Sequence, residues 1–385
     1  MTPAARVQAS IEILNDILAG APVEKALTGW ARRSRFAGSK DRAAIRDHVF
    51  DALRCKRSYA ALGGSATGRG LMIGATRAIG ADPAELFTGN RHAPTPVVET
   101  ETAQDFVSDA ERYDIPEWMW SRFAASTKDA TILSAKALQS RAPVHLRVNL
   151  LKADVSQAID VLETDGVSAR PTNVCETALE VTEGARRISH SQAYDQGLVE
   201  LQDAASQAVV AALALQPGMR VVDYCAGGGG KALALAANDG VEVFAHDVNK
   251  DRMKDIPARA NRAGAKIIQV NTDELSRHAP FDVVLVDAPC SGSGSWRRAP
   301  AGKWALTEDR LQELTTIQGD ILKDVAPLVR MGGVLAYATC SILTDENASV
   351  IENFLTGHTD WRETYRNTWH VTHESDGFFT SHLTR

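Results

Sequence analysis

The segment that most constrains the fold is a short, uninterrupted apolar run at residues 281–286, followed directly by Asp-Ala-Pro-Cys-Ser-Gly-Ser-Gly. Apolar, β-branched runs of this length without alternation are typical of strands buried on both faces of a parallel sheet. Such sheets bind their ligands beyond the carboxyl ends of the strands. Asp287 and Cys290 are therefore predicted to lie at the functional edge of the sheet.

A second segment downstream has the same design. Residues 334–337 form a short apolar run, and Cys340 follows it closely, so two thiols are expected at one sheet edge. A single cysteine after a strand is more often a small packing residue than a catalytic one. Two in equivalent positions favour nucleophilic chemistry, because a thiolate is a strong, soft nucleophile.

Helix and strand patterns alternate from residue 203 onward, which predicts a doubly wound parallel sheet of the Rossmann-like α/β class. Residues 140–202 combine short extended runs with one helix and predict a small α+β subdomain. Residues 1–130 are predicted to form an all-α domain. We therefore expect three domains, at 1–130, 140–202 and 203–385.

The element predictions are specific. The strands of the sheet are expected at 220–224, 241–245, 266–270, 281–286 and 334–337, and the helices of the first domain at 4–19, 39–61, 69–80 and 116–125. In a last helix at 345–355, Asp345 and Glu346 are expected to complement the helix dipole from the first turn.

The composition argues against several classes of protein. No apolar run is long enough to cross a bilayer, and charged residues among the first 22 predict an amphipathic helix instead of a signal peptide. We therefore expect a cytoplasmic protein without membrane contact. The five cysteines, at 55, 175, 225, 290 and 340, form no C-x-x-C pair. This spacing indicates free thiols, with neither a disulfide framework nor a bound metal.

Charge is unevenly distributed along the chain. The net charge is −6, yet residues 30–59 contain nine Lys and Arg against three Asp, a local net charge of about +6. A positive cluster of this kind is a candidate contact for the phosphates of a nucleic acid. A solvated helix face is the alternative, with about equal weight.

A glycine-rich loop, Cys225-Ala-Gly-Gly-Gly-Gly-Lys231, follows the first predicted strand of the sheet. Glycines permit the positive φ angles and close backbone approach that a nucleotide-like cofactor requires. The loop is neither a P-loop nor a complete G-x-G-x-x-G fingerprint. Asp247, Asp273 and Asp287 follow the second, third and fourth strands, where a carboxylate can bind ribose hydroxyls or a base. Together with the two thiols, these features favour S-adenosyl-L-methionine over NAD or ATP.

Taken together, the motifs resemble those of the bacterial Sun (Fmu) type of RNA cytosine-5 methyltransferases, over nearly the whole chain. The matching stretches are LRVNLLK (146–152), VELQDAAS (199–206), DYCAGGGGK (223–231), DAPCSGSG (287–294), RR (297–298), KW (303–304), TCS (339–341) and DGFF (376–379). The basic residues 35–54 resemble the NusB-like helical domain of this family, and the middle subdomain resembles its RNA-recognition-like region.

The resemblance implies an enzyme that methylates cytosine C5 in RNA, with 16S ribosomal RNA as the expected partner and rRNA processing as the expected process. It implies Cys340 as the nucleophile that adds to cytosine C6, and Cys290 as the thiol that assists release of the product. Asp287 is placed to bind the N3/N4 edge of the base. The positions implied for the cofactor are Cys225, Ala226, Gly227, Gly228, Gly229, Gly230, Lys231, Asp247, Asp273 and Asp287. We expect a monomer.

One departure from the family is the pair Gly227-Gly228, where its members usually have Ala-Pro. It predicts a more flexible loop, whose ordering on cofactor binding costs more free energy.

Two other functions stay open on the residues. A DNA cytosine-5 methyltransferase would use Cys290 as its nucleophile, and the separate Thr-Cys-Ser site and the basic helical region argue against it. A non-catalytic RNA-binding or ribosome-assembly factor would keep the fold without turnover, and retention of both cysteines and of Asp287 argues against that.

Overall fold

The computed structural model describes all residues, 1–385, and its contacts divide the chain into two compact units. Unit 1 comprises Met1–Ala124, Thr131–Arg141 and Trp296–Ala305, and unit 2 comprises Ala125–Ala130, Ala142–Ser295 and Leu306–Arg385. None of the helices combines the length and the apolar character that a membrane crossing requires.

The first 141 residues are helical, as their composition predicts. The helices are α1 Pro3–Leu18, α2 Val23–Arg33, α3 Ser39–Arg54, α4 Lys56–Gly63, α5 Gly68–Ala78, α6 Asp109–Arg112, α7 Trp120–Thr127 and α8 Thr131–Gln139, with 3-10 turns at Pro83–Glu85, Glu117–Met119 and Lys128–Ala130. Apolar side chains of α1, α2, α3 and α5 pack together as the main core of unit 1.

The single helix expected at 39–61 is wrong, because the helix breaks at Cys55. The buried carboxylate of Asp114 accepts hydrogen bonds from the backbone N–H groups of Arg57 (2.7 Å) and Ser58 (2.9 Å). These donors lie in the first turn of α4, where backbone N–H groups have no partner within the helix. A side chain distant in sequence therefore stabilises the start of a new helix.

The first part of unit 2 is a small antiparallel sheet with helices. Its elements are β1 Val144–Val148, α9 Val155–Thr164, β2 Ser168–Pro171, β3 Ala178–Glu183, the 3-10 turn Ala185–His190, α10 Gln192–Asp195 and β4 Val199–Leu201. The strand order is β2-β3-β1-β4, and the sheet has its own apolar core. The α+β character predicted for this part of the chain is present.

A seven-stranded sheet forms the rest of unit 2. Its elements are α11 Ala204–Ala211, β5 Arg220–Asp223, α12 Gly230–Leu235, β6 Glu242–Ala245, α13 Ile256–Ala263, β7 Ile267–Gln269, α14 Leu275–His278, β8 Phe281–Asp287, α16 Glu308–Val325, β9 Val329–Thr339, α17 Ala348–Gly357, β10 Arg362–Trp369 and β11 Phe378–Thr384. Between β8 and α16 lies α15 Pro300–Ala305, and 3-10 turns occur at Lys250–Met253, Ser293–Ser295, Ala326–Leu328 and Thr344–Glu346. The strand order is β10-β11-β9-β8-β5-β6-β7, with apolar clusters packed against the sheet.

The sheet is parallel from β7 to β9, as predicted, and its other end carries an antiparallel hairpin that the sequence did not predict. There β11 pairs antiparallel with β9, and β10 pairs antiparallel with β11. Apolar runs do not mark these strands, because β10 is largely exposed and β11 buries the polar residues Thr380 and Ser381. Their hydroxyls donate to the Tyr337 carbonyl (3.0 Å) and to Glu363 (2.6 Å), so burial leaves them hydrogen-bonded.

Residues 296–305 cluster with unit 1, although the predicted boundary places them in the 203–385 domain. The indole of Trp304 donates to the Leu53 carbonyl (2.7 Å), and the ammonium of Lys303 donates to the Arg54 carbonyl (2.8 Å). Arg54 in turn donates to the Arg297 carbonyl (2.7 Å). Leu53 and Arg54 end α3, where carbonyls lack partners within the helix, so these contacts satisfy a helix terminus.

The C-terminal strands are predicted to be an integral part of the sheet. Leu383 is fully buried on β11, so Leu383→Ala should lower the free energy of unfolding by about 2–5 kcal/mol through the cavity that it leaves. Thr368→Ala, at an exposed position on β10, is the matched control and should change it by less than about 0.5 kcal/mol. Calorimetric unfolding measures both, and equal, small effects would show that the hairpin contributes little.

Candidate active site

The two predicted thiols lie side by side at the carboxyl ends of neighbouring strands. Asp287, the last residue of β8, is in register with Ala338 of β9. Cys290 and Cys340 follow within a few residues, and their Sγ atoms are 3.4 Å apart, as hydrogen-bonded free thiols. The pairing of two parallel strands thus brings together the two cysteines that the sequence placed at one edge.

The surroundings of the two thiols differ. The hydrogen bond from Cys290 lowers the pKa of Cys340, and the nearby Lys231 ammonium acts in the same direction against burial and the charge of Asp287. The same hydrogen bond, burial and the charges of Cys340 and Glu346 raise the pKa of Cys290. The geometry therefore favours a thiolate at Cys340 and a protonated thiol at Cys290.

Lys231 forms an ion pair with Asp287, with 2.7 Å between Nζ and Oδ2. Burial alone would lower the pKa of Lys231, but the hydrogen-bonded Asp287 and the nearby Asp223 carboxylate outweigh it and raise the pKa. The ammonium also lies 5.1 Å from the ring centre of Phe378, in a cation–π contact. Lys231 is thereby held as a fixed positive charge beside the thiols.

Side chains from outside the glycine loop hold it at three points, and the cost of ordering it on cofactor binding stays a prediction. Asp247 Oδ2 accepts from the Gly227 N–H (2.9 Å), the guanidinium of Arg259 donates to the Gly228 carbonyl, and Arg147 donates to the Gly230 carbonyl (2.9 Å). Side chains from outside the loop therefore supply the order that the family's proline would give. Ala226 is buried at its base and accepts from the Gly229 N–H (2.8 Å).

Gly229 is the position in the loop where only glycine fits. Its φ is +82°, and a Cβ atom there would lie 2.7 Å from Cγ1 of Ile256. The residue immediately precedes α12, so the backbone N–H groups that begin this helix face the loop. This arrangement leaves space for a ligand to approach the backbone.

Asp223, at the end of β5, is a site residue that the sequence did not predict, because the pattern around it indicates only a strand. It is 0% exposed, and neither carboxylate oxygen has a partner of ordinary hydrogen-bond geometry. Burial and the charge of Asp287 raise the pKa of Asp223 to about 7, against the opposing effect of Lys231. Asp247 pairs with Arg252 (3.0 Å) and Asp287 with Lys231, so Asp223 is the buried carboxylate at this edge of the sheet without an ion pair, which suits a cationic ligand better than a phosphate.

Two further predicted cofactor residues, Asp273 and Cys225, make no hydrogen bond to this cluster. Asp273 is exposed in the turn after β7, and no hydrogen bond or ion pair links it to the other site residues. Cys225 is half-buried, and burial together with the charges of Asp223 and Asp287 raises the pKa of its thiol. Cys225 is therefore unsuited to be a nucleophile, and we expect it to have a packing role at the start of the glycine loop.

Glu346 is a second residue that the sequence reading missed. The interpretation of Glu346 as a helix-dipole partner is wrong, because α17 begins only at Ala348 and Glu346 is fully buried in the preceding 3-10 turn. Its carboxylate accepts hydrogen bonds from Ser291 and Ser341, the residues that follow the two cysteines. The repeated Cys-Ser pair was the available signal in the sequence.

Comparisons with known families match two segments of the chain. Residues 210–384 match the family described as 16S rRNA methyltransferase RsmB/F, and residues 115–186 match the ferredoxin-like domain of Methyltr_RsmF/B-like proteins. These matches agree with the resemblance to rRNA methyltransferases that the motifs indicate, and the specificity for cytosine C5 stays a prediction. The second match also begins within the helical region, before the subdomain boundary that we predicted at residue 140. The NusB-like character of the first domain stays a prediction.

Curated relatives carry names of the same kind. A probable ribosomal RNA small subunit methyltransferase B from Bacillus subtilis is 34% identical over 64% of this chain and 57% of its own length. Ribosomal RNA small subunit methyltransferase B from Citrobacter koseri is 32% identical over 65% of this chain and 60% of its own length. The chain thus spans about three fifths of the length of these relatives.

Solved structures share the fold. The crystal structure of PH0851 is 26% identical, covers 100% of this chain and 99% of its own, and superposes with a TM-score of 0.77. A methyltransferase homolog protein from Pyrococcus horikoshii is 25% identical, covers 71% of this chain and 96% of its own, and gives a TM-score of 0.62.

The buried Asp223 predicts a pH dependence of stability. Its pKa in the folded protein is raised to about 7, so its contribution to stability is present below pH 4 and is lost as the pH rises toward 7. Asp223→Asn should remove up to about 1.4 kcal/mol per pH unit of this dependence. Thermal unfolding of both proteins between pH 5 and pH 8 measures it.

The control is Asp282→Asn on β8, where the pKa is lowered and no titration is expected between pH 5 and pH 8. Identical pH profiles for the wild type and Asp223→Asn would remove Asp223 as a titrating group.

Proposed function

Because the chain belongs to the RsmB/F family of methyltransferases through its two matched segments, we propose that it methylates cytosine C5 in small-subunit ribosomal RNA, with S-adenosyl-L-methionine as methyl donor. The observation that carries this proposal is the pair of thiols 3.4 Å apart beside the Lys231–Asp287 ion pair. No other arrangement in the sheet places two nucleophiles and a charged pair at the ends of adjacent strands.

The residues fit this cofactor. S-adenosyl-L-methionine carries a positive charge at its sulfonium and at its ammonium group, and it supplies the methyl group when bound. Asp223 offers a buried carboxylate without a hydrogen-bond partner, and Asp247, which is held by Gly227 and Arg252, offers a second carboxylate at the end of β6. The fixed glycine loop lies between them and allows close approach. Asp273, exposed at the end of β7, is a further candidate contact for the adenosine end of the cofactor.

Cys340 supplies the covalent step. Cytosine C5 is a weak nucleophile, and addition of the Cys340 thiolate at C6 converts the ring into an enamine whose C5 can accept a methyl group. The lowered pKa of Cys340, caused by Cys290 and Lys231, makes the thiolate available. The base must be unstacked to reach this pocket, as is common for enzymes that act on bases.

Asp287 and Cys290 are proposed to bind the base and to assist release of the product, respectively. Asp287, half-exposed and paired with Lys231, is placed to hold the N3/N4 edge of the base and to stabilise the adduct. Cys290, with its raised pKa, keeps a proton close to the Cys340 sulfur. After methyl transfer, water takes the C5 proton and the C6–S bond breaks, so that the aromatic ring is regenerated and Cys340 leaves as a thiolate. Cys290 assists this release through its hydrogen bond to the departing sulfur.

Unit 1 offers a surface for the RNA. Arg32, Arg33 and Arg35 are exposed, and the structure gives them no ion pair. Phe36, beside them, is 75% exposed. Unpaired cations and an exposed aromatic ring suit phosphates and an unstacked base. This supports the RNA-binding, NusB-like role proposed for the helical domain.

A trapping experiment should distinguish the roles of the two cysteines. Cys340→Ala cannot form the enamine, so transfer of a labelled methyl group to RNA should vanish without a covalent complex. Cys290→Ala should still add and methylate, and then stall, so that an RNA–protein adduct survives denaturing gel electrophoresis.

The wild-type protein with RNA and with DNA is the control. An adduct in Cys340→Ala alone would reverse the two roles, and methyl transfer to DNA alone would favour a DNA methyltransferase. Full activity of both variants without any adduct would exclude thiol catalysis.

The exposed arginines predict the salt dependence of RNA binding. Replacing Arg32, Arg33 and Arg35 by Gln should flatten the log–log slope of affinity against salt by roughly 0.7–0.9 for each lost phosphate contact. Arg46→Gln is the matched control, because this exposed arginine is already paired with Glu24 (2.6 Å). A slope that stays unchanged in the triple variant would mark the cluster as a solvated face.

A further inference from the structure

Glu346 is a fully buried carboxylate with its hydrogen-bonding capacity taken up by the two cysteine loops. Oε1 accepts from the Ser291 N–H (2.7 Å) and from the Gln318 amide (3.1 Å). Oε2 accepts from the hydroxyls of Ser291 and Ser341. Buried charges usually pair with an opposite charge. The four hydrogen bonds to the Glu346 carboxylate all come from neutral donors.

Apart from the Gln318 amide on α16, the donors belong to the segments that carry the thiols. Ser291 follows Cys290 directly, and Ser341 follows Cys340 directly. One carboxylate therefore joins the loop after β8 to the loop after β9, one residue away from each sulfur. Hydrogen bonds to a charged group are roughly twice as strong as neutral ones, so this junction is stronger than the other contacts between the loops.

The neighbouring contacts between these loops are neutral. The Gly294 N–H donates to the Cys340 carbonyl (2.9 Å), and the hydroxyls of Ser293 and Ser341 are 2.8 Å apart. Gln318 also donates to the Pro289 carbonyl (2.9 Å), so it extends the junction to the residue before Cys290. None of these contacts involves both Ser291 and Ser341, the residues that follow the two cysteines.

We propose that Glu346 is a positioning residue, which holds the two cysteine loops together so that the two sulfurs stay in contact. The proposal rests on the proposed function only for the role of each thiol in catalysis. The proximity of the thiols is a property of the protein alone and can be measured without RNA or cofactor.

The carboxylate also has an electrostatic effect on the pair. Its charge is among the groups that raise the pKa of Cys290, after the hydrogen bond to Cys340, burial and the charge of Cys340. Lys231 and Asp287 act on Cys340 from the other side. The position of Glu346 thus agrees with the division of roles between the two thiols.

A trivalent arsenical measures the pair directly. Phenylarsine oxide condenses with two adjacent thiols to form two As–S bonds, and its oxygen leaves as water with the two thiol protons, so no oxidant is needed. The full-length protein should bind it tightly and resist removal by a monothiol. Cys290→Ser and Cys340→Ser should each abolish this tight binding, which assigns it to the pair.

Two substitutions of Glu346 then test the positioning role. Glu346→Ala should lower the affinity for phenylarsine oxide at least tenfold, while both thiols remain open to single alkylation. Glu346→Gln should restore it, because the amide can accept from the Ser291 N–H and donate to both serine hydroxyls. A role in folding alone would lower thermal stability without this difference between Ala and Gln at the thiols.

Wild-type affinity for the arsenical in Glu346→Ala would overturn the proposal. If that variant does not fold, Ser341→Ala removes the contact of Glu346 to the Cys340 loop, together with the contacts of the same hydroxyl to Ser293 and to the Leu343 N–H. It should also weaken binding of the arsenical, and unchanged binding in this variant would equally contradict the proposal. Failure of RNA methylation in the wild type, with arsenical binding as expected, would count against the proposed function alone.

Discussion

The parallel pairing of β8 with β9 is the constraint on which the whole site depends. Its register places Asp287 opposite Ala338, so the chain leaves both strands at the same level. Cys290 and Cys340 then meet without any contribution from a flexible segment. Because β5 pairs with the other side of β8, the glycine loop and Lys231 reach the same edge. Three adjacent parallel strands therefore assemble the thiols, the ion pair and the loop.

Charge divides this edge into two regions. Near the glycine loop, Asp287 pairs with Lys231 and Asp247 pairs with Arg252, whereas the buried Asp223 has no ion pair and suits a cationic methyl donor. The ammonium of Lys231 is paired with Asp287 and lies near Cys340, and it favours a thiolate there. Burial strengthens these interactions, since the effective dielectric constant is lower than in water. The same fold thus serves a positive ligand and a negative nucleophile a short distance apart.

The sequence was sufficient to predict the location of those site residues that directly follow the parallel strands. Cys290, Cys340, Asp247 and Asp287 were predictable, because apolar runs mark parallel strands and parallel strands end at one edge. The hairpin of β10 and β11 was not, because its buried polar residues interrupt the apolar pattern. Contacts between segments that are distant in the chain could not be predicted from the sequence either.

Three residues illustrate that limit. Asp114 caps α4 from far along the chain, Glu346 joins two loops, and Arg259 fixes the glycine loop. No local pattern encodes a partner that only folding brings near. The glycine loop is an example, because its composition does not show that Arg147, Asp247 and Arg259 contact it.

The identity of the attacking sulfur is tested most directly by mass spectrometry of a trapped complex. RNA that contains 5-azacytidine adds a thiolate at C6 but has no C5 proton to lose, so the adduct persists. Trypsin separates the two cysteines, since Cys340 lies on the peptide 331–362 and Cys290 on the peptide 278–297. The account predicts the nucleotide on the first peptide in the wild-type protein. A nucleotide on the second peptide, or on neither, would contradict it.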